Sequence, residues 1–187
     1  NYVEMGSILL RSWIRINGIT SNGLKSSMFT FNTVTSKYFK PIIEALRTNT
    51  NNSVNTDLET ERNKFNYLNK LNYKFMNFAR LSIMPGEEVL CTVLQPEIRV
   101  ELFNILKKSL FRTVSPAHLT ILTDSELIII KDKRQRFTKN KYGGIWNYIP
   151  LEKITSLSLA EQTDNTFTLS IGLPENDTIR SIFAAAN

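Results

Sequence analysis

The sequence predicts a β-rich α+β fold, and three observations predict it. Residues 118–159, HLTILTDSELIIIKDKRQRFTKNKYGGIWNYIPLEKITSLSL, hold three short β-rich runs with turn signals after the first two and a basic loop before the third. Apolar and polar residues alternate near both ends of the chain. Between those ends, residues 57–82 carry apolar positions at helical spacing.

Taken in order, Leu10, Ile14 and Ile16 fall on one side of a strand over Ile8 to Ile16, with Leu9, Arg11, Trp13 and Arg15 on the other. The turn NGITSNG follows, and a second strand over Ser26 to Val34 places Phe29 and Phe31 on one face. Thr35 or Ser36 caps a helix carrying Phe39, Ile42, Ile43 and Leu46, with Pro41 in or near its first turn, where a missing N–H costs little. The amide-rich NTNNSVN over Asn49 to Asn55 has no periodicity and reads as a linker. Thr56 and Glu59 have capping-box spacing. The helix they open runs to about Ser82, with Phe65, Leu68, Phe75 and Phe78 on one stripe, and Pro85-Gly86 ends it. Its Tyr67, Lys70, Tyr73 and Lys74 are read as packing on a sheet in preference to reaching a membrane interface.

Val89 to Leu94 reads as a strand with Cys91 packed in the core. Ile98 to Phe111 fits a long bent strand and a short amphipathic helix equally, and periodicity does not separate them. Further strands are expected over His118 to Thr123, Glu126 to Lys131, Ile145 to Ile149, Ile154 to Leu159, Thr166 to Ile171 and Thr178 to Phe183. Asp124-Ser125 makes a tight hairpin, and Pro150, Leu151 and Glu152 make a corner. The end of the chain, FTLSIGLPENDTIRSIFAAAN, repeats the plan of its beginning, SWIRINGITSNGLKSSMFTFNTV: strand, polar turn, strand.

From Pro85 to Asn187, PGEEVL, the hairpin LTDSELIII and the corner W-x-Y-IPLEKITSLSL resemble bacterial pleckstrin-homology-like (PH-like, GRAM-like) domains. That resemblance implies a bent antiparallel sheet of seven strands, closed at one corner by a C-terminal amphipathic helix. Here the helix is absent or truncated, so either residues after Asn187 or the 57–82 helix is expected to cover the corner. Residues Ile8 to Arg47 resemble the last two strands and closing helix of a second such unit. The expected organisation is a partial PH-like unit over 1–48, a linker and connecting helix over 49–84, and a PH-like domain over 85–187. With Asn1 opening on strand-like sequence, the chain reads as part of a longer tandem.

Lys and Arg outnumber Asp and Glu by 23 to 17, giving a formal charge of +6, which draws phosphates and says nothing of fold. Lys131, Lys133, Arg134, Arg136, Lys139 and Lys141 gather in one loop with Phe137 and Tyr142 between them. They are the candidate ligand-binding residues for anionic lipid or another polyanion, with Arg134 and Arg136 offering forks for bidentate contact. PH domains use an R-x-R element for phosphoinositides, and Arg134-Gln135-Arg136 is similar, though it follows the third strand here and not the first. The function expected from the resemblance is non-catalytic binding or scaffolding through a protein partner or self-association, with an anionic membrane surface as the alternative. Nucleic acid is disfavoured, because no recognition motif accompanies Trp13, Trp146, Phe137 and Tyr142.

Catalysis finds little support in the residues. His118 is the sole histidine and Cys91 the sole cysteine, which rules out an internal disulfide and a thiolate metal cage within one chain. No nucleophile elbow, phosphate loop or dinucleotide fingerprint occurs, and no cofactor is expected. Glu87-Glu88 and the acids of DLETE sit at turn and helix-start positions, where carboxylates stay hydrated or offset the helix dipole. A cytoplasmic protein, peripheral at most to the inner membrane face, is the expected location. A deep polar cleft holding perturbed acids is the feature that would favour an enzyme over an adaptor.

Overall fold

The computed structural model describes residues 2–8, 10–47, 56–105, 108–132, 143–162 and 165–185, and of 102–105 and 108–109 only the backbone. Among them are twelve strands: β1 (Tyr2–Ile8), β2 (Arg11–Thr20), β3 (Gly23–Asn32), β4 (Val89–Gln95), β5 (Ile98–Ile105), β6 (Lys108–Ser115), β7 (His118–Thr123), β8 (Glu126–Lys131), β9 (Gly144–Pro150), β10 (Ser156–Gln162), β11 (Thr166–Gly172) and β12 (Thr178–Ala184). The helices are α1 (Ser36–Arg47), α2 (Leu58–Asn63) and α3 (Leu68–Ser82). The fold is β-rich and α+β, with every strand pair antiparallel.

Seven strands form one sheet in the order β3-β2-β1-β9-β8-β7-β4, β10-β11-β12 form a second, and β5-β6 make a separate hairpin. The expected division at 49–84 therefore does not divide the sheet: β1 pairs with β9, bringing Met5 opposite Trp146 and Val3 opposite Tyr148. The first block also contributes three strands where the sequence indicated two, because Tyr2–Ile8 pairs with β2 along its whole length.

The edge strand β3 of the large sheet is largely exposed, while the centre of the sheet, at β8 and β9, is buried on both faces. On one, Val3, Ile14, Leu119, Ile121, Ile128, Ile130, Trp146 and Tyr148 meet Ile43 of α1 and Phe65, Leu68, Phe75, Met76 and Ala79 of the α2–α3 region. On the other, Leu127, Ile129 and Ile149 meet Ile171, Leu173 and Ile179 of the small sheet. Alternation in β8 and β9 sends neighbouring residues into different cores, which is why LIII over residues 127–130 reads as a continuous apolar run. Helices, large sheet and small sheet thus form three layers, with α3 on the face away from the open side of the small sheet. The 57–82 helix consequently does not cover that corner.

Several local expectations are corrected by their surroundings. The β2 strand continues through Asn17 and Gly18, so the turn shrinks to Ser21-Asn22, with Gly23 at φ 93°. Pro41 lies in the second turn of α1, after a 3-10 turn over Thr33–Thr35. Asp57, not Thr56, caps α2, accepting the Glu59 and Thr60 amides. The expected single helix breaks: Phe65 is buried within a turn, and Asn72 is non-helical with its Oδ1 accepting the Phe75 N–H, so a side chain re-caps the chain after the break. Its stripe of Phe65, Leu68 and Phe75 is core as expected, but Tyr67 and Tyr73 are exposed and Lys74 pairs with Asp132 at 2.8 Å. Residues 98–111, read as one strand or a helix, belong to the β5–β6 hairpin, whose strands pair with register shifts. Cys91 is exposed because the ladder shifts between Val89 and Cys91, turning the thiol away from the core.

Candidate functional site

Of the six cations expected to form an anion site, Lys131 alone lies within the described residues; Lys133, Arg134, Arg136, Lys139 and Lys141 lie outside them, as do Phe137 and Tyr142. Lys131 ends β8 opposite His118 and Ile145. Its Nζ donates to the Arg180 carbonyl at 2.6 Å, and burial lowers its pKa. An amine committed to a backbone carbonyl is a poor first contact for a headgroup. The two tryptophans are likewise engaged elsewhere. Trp146 is core, and Trp13 donates to Glu4 Oε1 at 3.1 Å while its ring lies over Gly6, where a Cβ would stand 1.8 Å away.

His118 is buried edge-on to Phe183, with ring centroids 4.9 Å apart, and its Nδ1 lies 3.2 Å from the Pro116 carbonyl. Burial pushes its pKa down, so the ring is neutral at physiological pH. Among the described residues, no three His, Cys, Asp or Glu side chains are grouped to hold a metal ion.

The perturbed acids lie elsewhere, in a cluster that sequence reasoning missed. At the last turn of α1, Arg47 donates from Nε and Nη2 to Glu126 Oε2 at 3.0 and 2.9 Å and from Nη2 to the Ser82 carbonyl at 2.8 Å. The same Nη2 lies 3.6 Å from Glu87 Oε2, and the guanidinium carbon stacks 3.9 Å above the Tyr148 ring. Arg47 and Glu126 are 4% and 3% exposed along their side chains, so the pair is desolvated and its members are worth most to each other. Burial raises the pKa of both Glu126 and Glu87, outweighing the opposing pull of Arg47. Glu87, expected to stay hydrated in a turn, is instead buried and bonded: Ser125 Oγ donates to Oε1 at 3.2 Å and the Met84 N–H to Oε2 at 2.7 Å.

A cavity of about 320 Å³ opens beside this cluster, lined by Arg47, Glu126, Tyr148, Tyr2, Asn17 and Lys153 among others. It is a polar cleft with one perturbed acid, Glu126, in its wall, a feature that would favour an enzyme, but that acid is bound to an arginine that ties α1 to β8. The residues of this cluster come from positions 47, 87 and 126, and the faint signal for them was an acid opening an otherwise apolar strand.

The second exposed feature is β10. All seven of its residues are exposed, and among the described residues it pairs with β11 alone. Leu157 and Leu159 lie opposite Ile171 and Leu169, on the face turned toward the core, yet stand 63% and 65% exposed. The corner of the small sheet is therefore open. No helix is long and apolar enough to cross a membrane among the described residues. Comparison with family models, curated proteins and solved structures finds no match to this chain.

Proposed function

We propose that this chain is a non-catalytic binding module of PH-like type, and that its partner is an extended strand added along β10. Four antiparallel neighbours, β4-β7-β8-β9, with the β5–β6 hairpin inserted between the first two and a three-stranded meander packed across one face, support the PH-like reading. The observation that carries the binding role is β10 itself: exposed at every position, hydrogen-bonded on one edge, and presenting two leucines at an open corner. A free edge supplies a row of backbone donors and acceptors, and alternate side chains supply specificity.

The strand best matched to this edge is β10 of a second copy. Ser156 to Ala160, SLSLA, carries no charge and no proline, the two devices that usually blunt an edge. In antiparallel register centred on Ser158, Leu157 of one copy opposes Leu159 of the other, so both leucine pairs meet on one face in an isologous contact. The free edge of β3 is less suited, since Lys25 interrupts it. Light scattering over a concentration series tests this. A dimer is expected, reduced to monomer by Leu159→Lys with an unchanged circular dichroism spectrum; a strict monomer throughout overturns the proposal.

A further inference from the structure

We infer that the cavity beside α1 is a binding site for a small alkyl-ammonium group, with Glu126 as its anchor. The cavity's volume, about 320 Å³, falls at the small end of ligand pockets. Its lining carries two cations, Arg47 and Lys153, and two carboxylates, Glu126 and Glu152, while the buried cluster behind it adds a further carboxylate, Glu87. Lys153 and Glu152, at the rim, pair with each other at 2.9 Å. Behind them, one guanidinium, Arg47, is shared between two buried carboxylates, Glu126 and Glu87. Both Glu87 oxygens have donors, from Ser125 and Met84. Glu126 Oε2 takes both Arg47 bonds, and Glu126 Oε1 is buried with no hydrogen-bond partner among the described residues.

An orphaned, buried carboxylate oxygen, on one of two acids that share a single guanidinium, is best met by a positively charged N–H donor, which holds the acid in its ionised form. A hydroxyl would fill the acceptor but leave the charge, and an anion would add to it. Apolar surface from Val3, Ile16 and Leu46 accommodates a short alkyl chain behind the ammonium. The site does not depend on the β10 proposal, and none of its lining residues lies in β10.

Calorimetric titration with n-butylammonium, and with n-butanol and n-butyrate as neutral and anionic controls, tests the inference. Saturable one-to-one binding of n-butylammonium is expected, at least tenfold tighter than either control. Glu126→Gln should weaken it at least tenfold. Because a variant in the buried cluster can compromise folding, Gly18→Phe provides a second arm: Gly18 lines the cavity, and a Cβ there meets nothing within 4 Å. That variant should fold normally and lose binding by obstruction. Absence of saturable n-butylammonium binding, equal or tighter binding of butyrate, or affinity unchanged in folded Gly18→Phe overturns the inference.

Discussion

β8 and β10 are two short strands with leucine or isoleucine at their centres, and they meet opposite fates. In β8 every residue from Glu126 to Ile130 is buried, whereas in β10 every residue is exposed. Strand preference does not separate them. Layering does: β8 has a neighbour on each side, helices over Ile128 and Ile130, and the small sheet over Leu127 and Ile129. Among the described residues β10 has one neighbour, and it lies at the rim. The difference teaches that the same local code makes a core where both faces are covered and an exposed rim strand where they are not.

The sharpest way to break this contrast is Arg47→Ala. It leaves Glu126, at the entrance to β8, and Glu87 buried without their cation, and should cost about 3–5 kcal/mol in denaturant unfolding. Next is Ile129→Ala, which empties a position fully buried between the two sheets; a loss of about 2–5 kcal/mol is expected. Acid titration probes the β7 strand beside β8. His118 has a folded pKa below its ordinary 6.5, so the folded protein binds fewer protons than the unfolded chain once pH falls through that value. Stability should therefore decline as pH drops below about 6.5, and this part of the decline should vanish in His118→Leu. The smallest effect is reserved for β10: Leu159→Ala should change monomer stability by no more than about 0.5 kcal/mol, because its side chain is 65% exposed. A monomer that loses as much from Leu159→Ala as from Ile129→Ala would erase the comparison.

Much of the strand inventory was legible in the sequence. His118–Thr123 and Glu126–Lys131 match the expected spans, and the strands at Val89, Ile145, Thr166 and Thr178 need only a residue or so at an end. Alternation and turn residues are local signals, and these elements obey them. What was not legible depended on distant neighbours. The partner of β1 is β9, and nothing in Tyr2–Ile8 names it. Cys91 alternates as a core residue should, but a ladder irregularity reverses its face. The helix over 57–82 breaks where Phe65 is drawn into the core and Asn72 competes for the backbone. The Arg47 cluster was hidden for the same reason: an arginine in a last helical turn reads as a solvated partner of the dipole until tertiary packing encloses it. Of the basic cluster, conspicuous in composition, Lys131 is the member among the described residues, and its amine is spent on the Arg180 carbonyl.

The ladder between β1 and β9 also sets the order in which the molecule can assemble. Val3 and Met5 must wait for partners about 140 residues downstream, so the first hairpin leaves the ribosome with one edge bare. Until Trp146 and Tyr148 emerge, that edge is open to pairing with the wrong strand, the exposure expected of a sheet whose central ladder joins strands so distant in sequence.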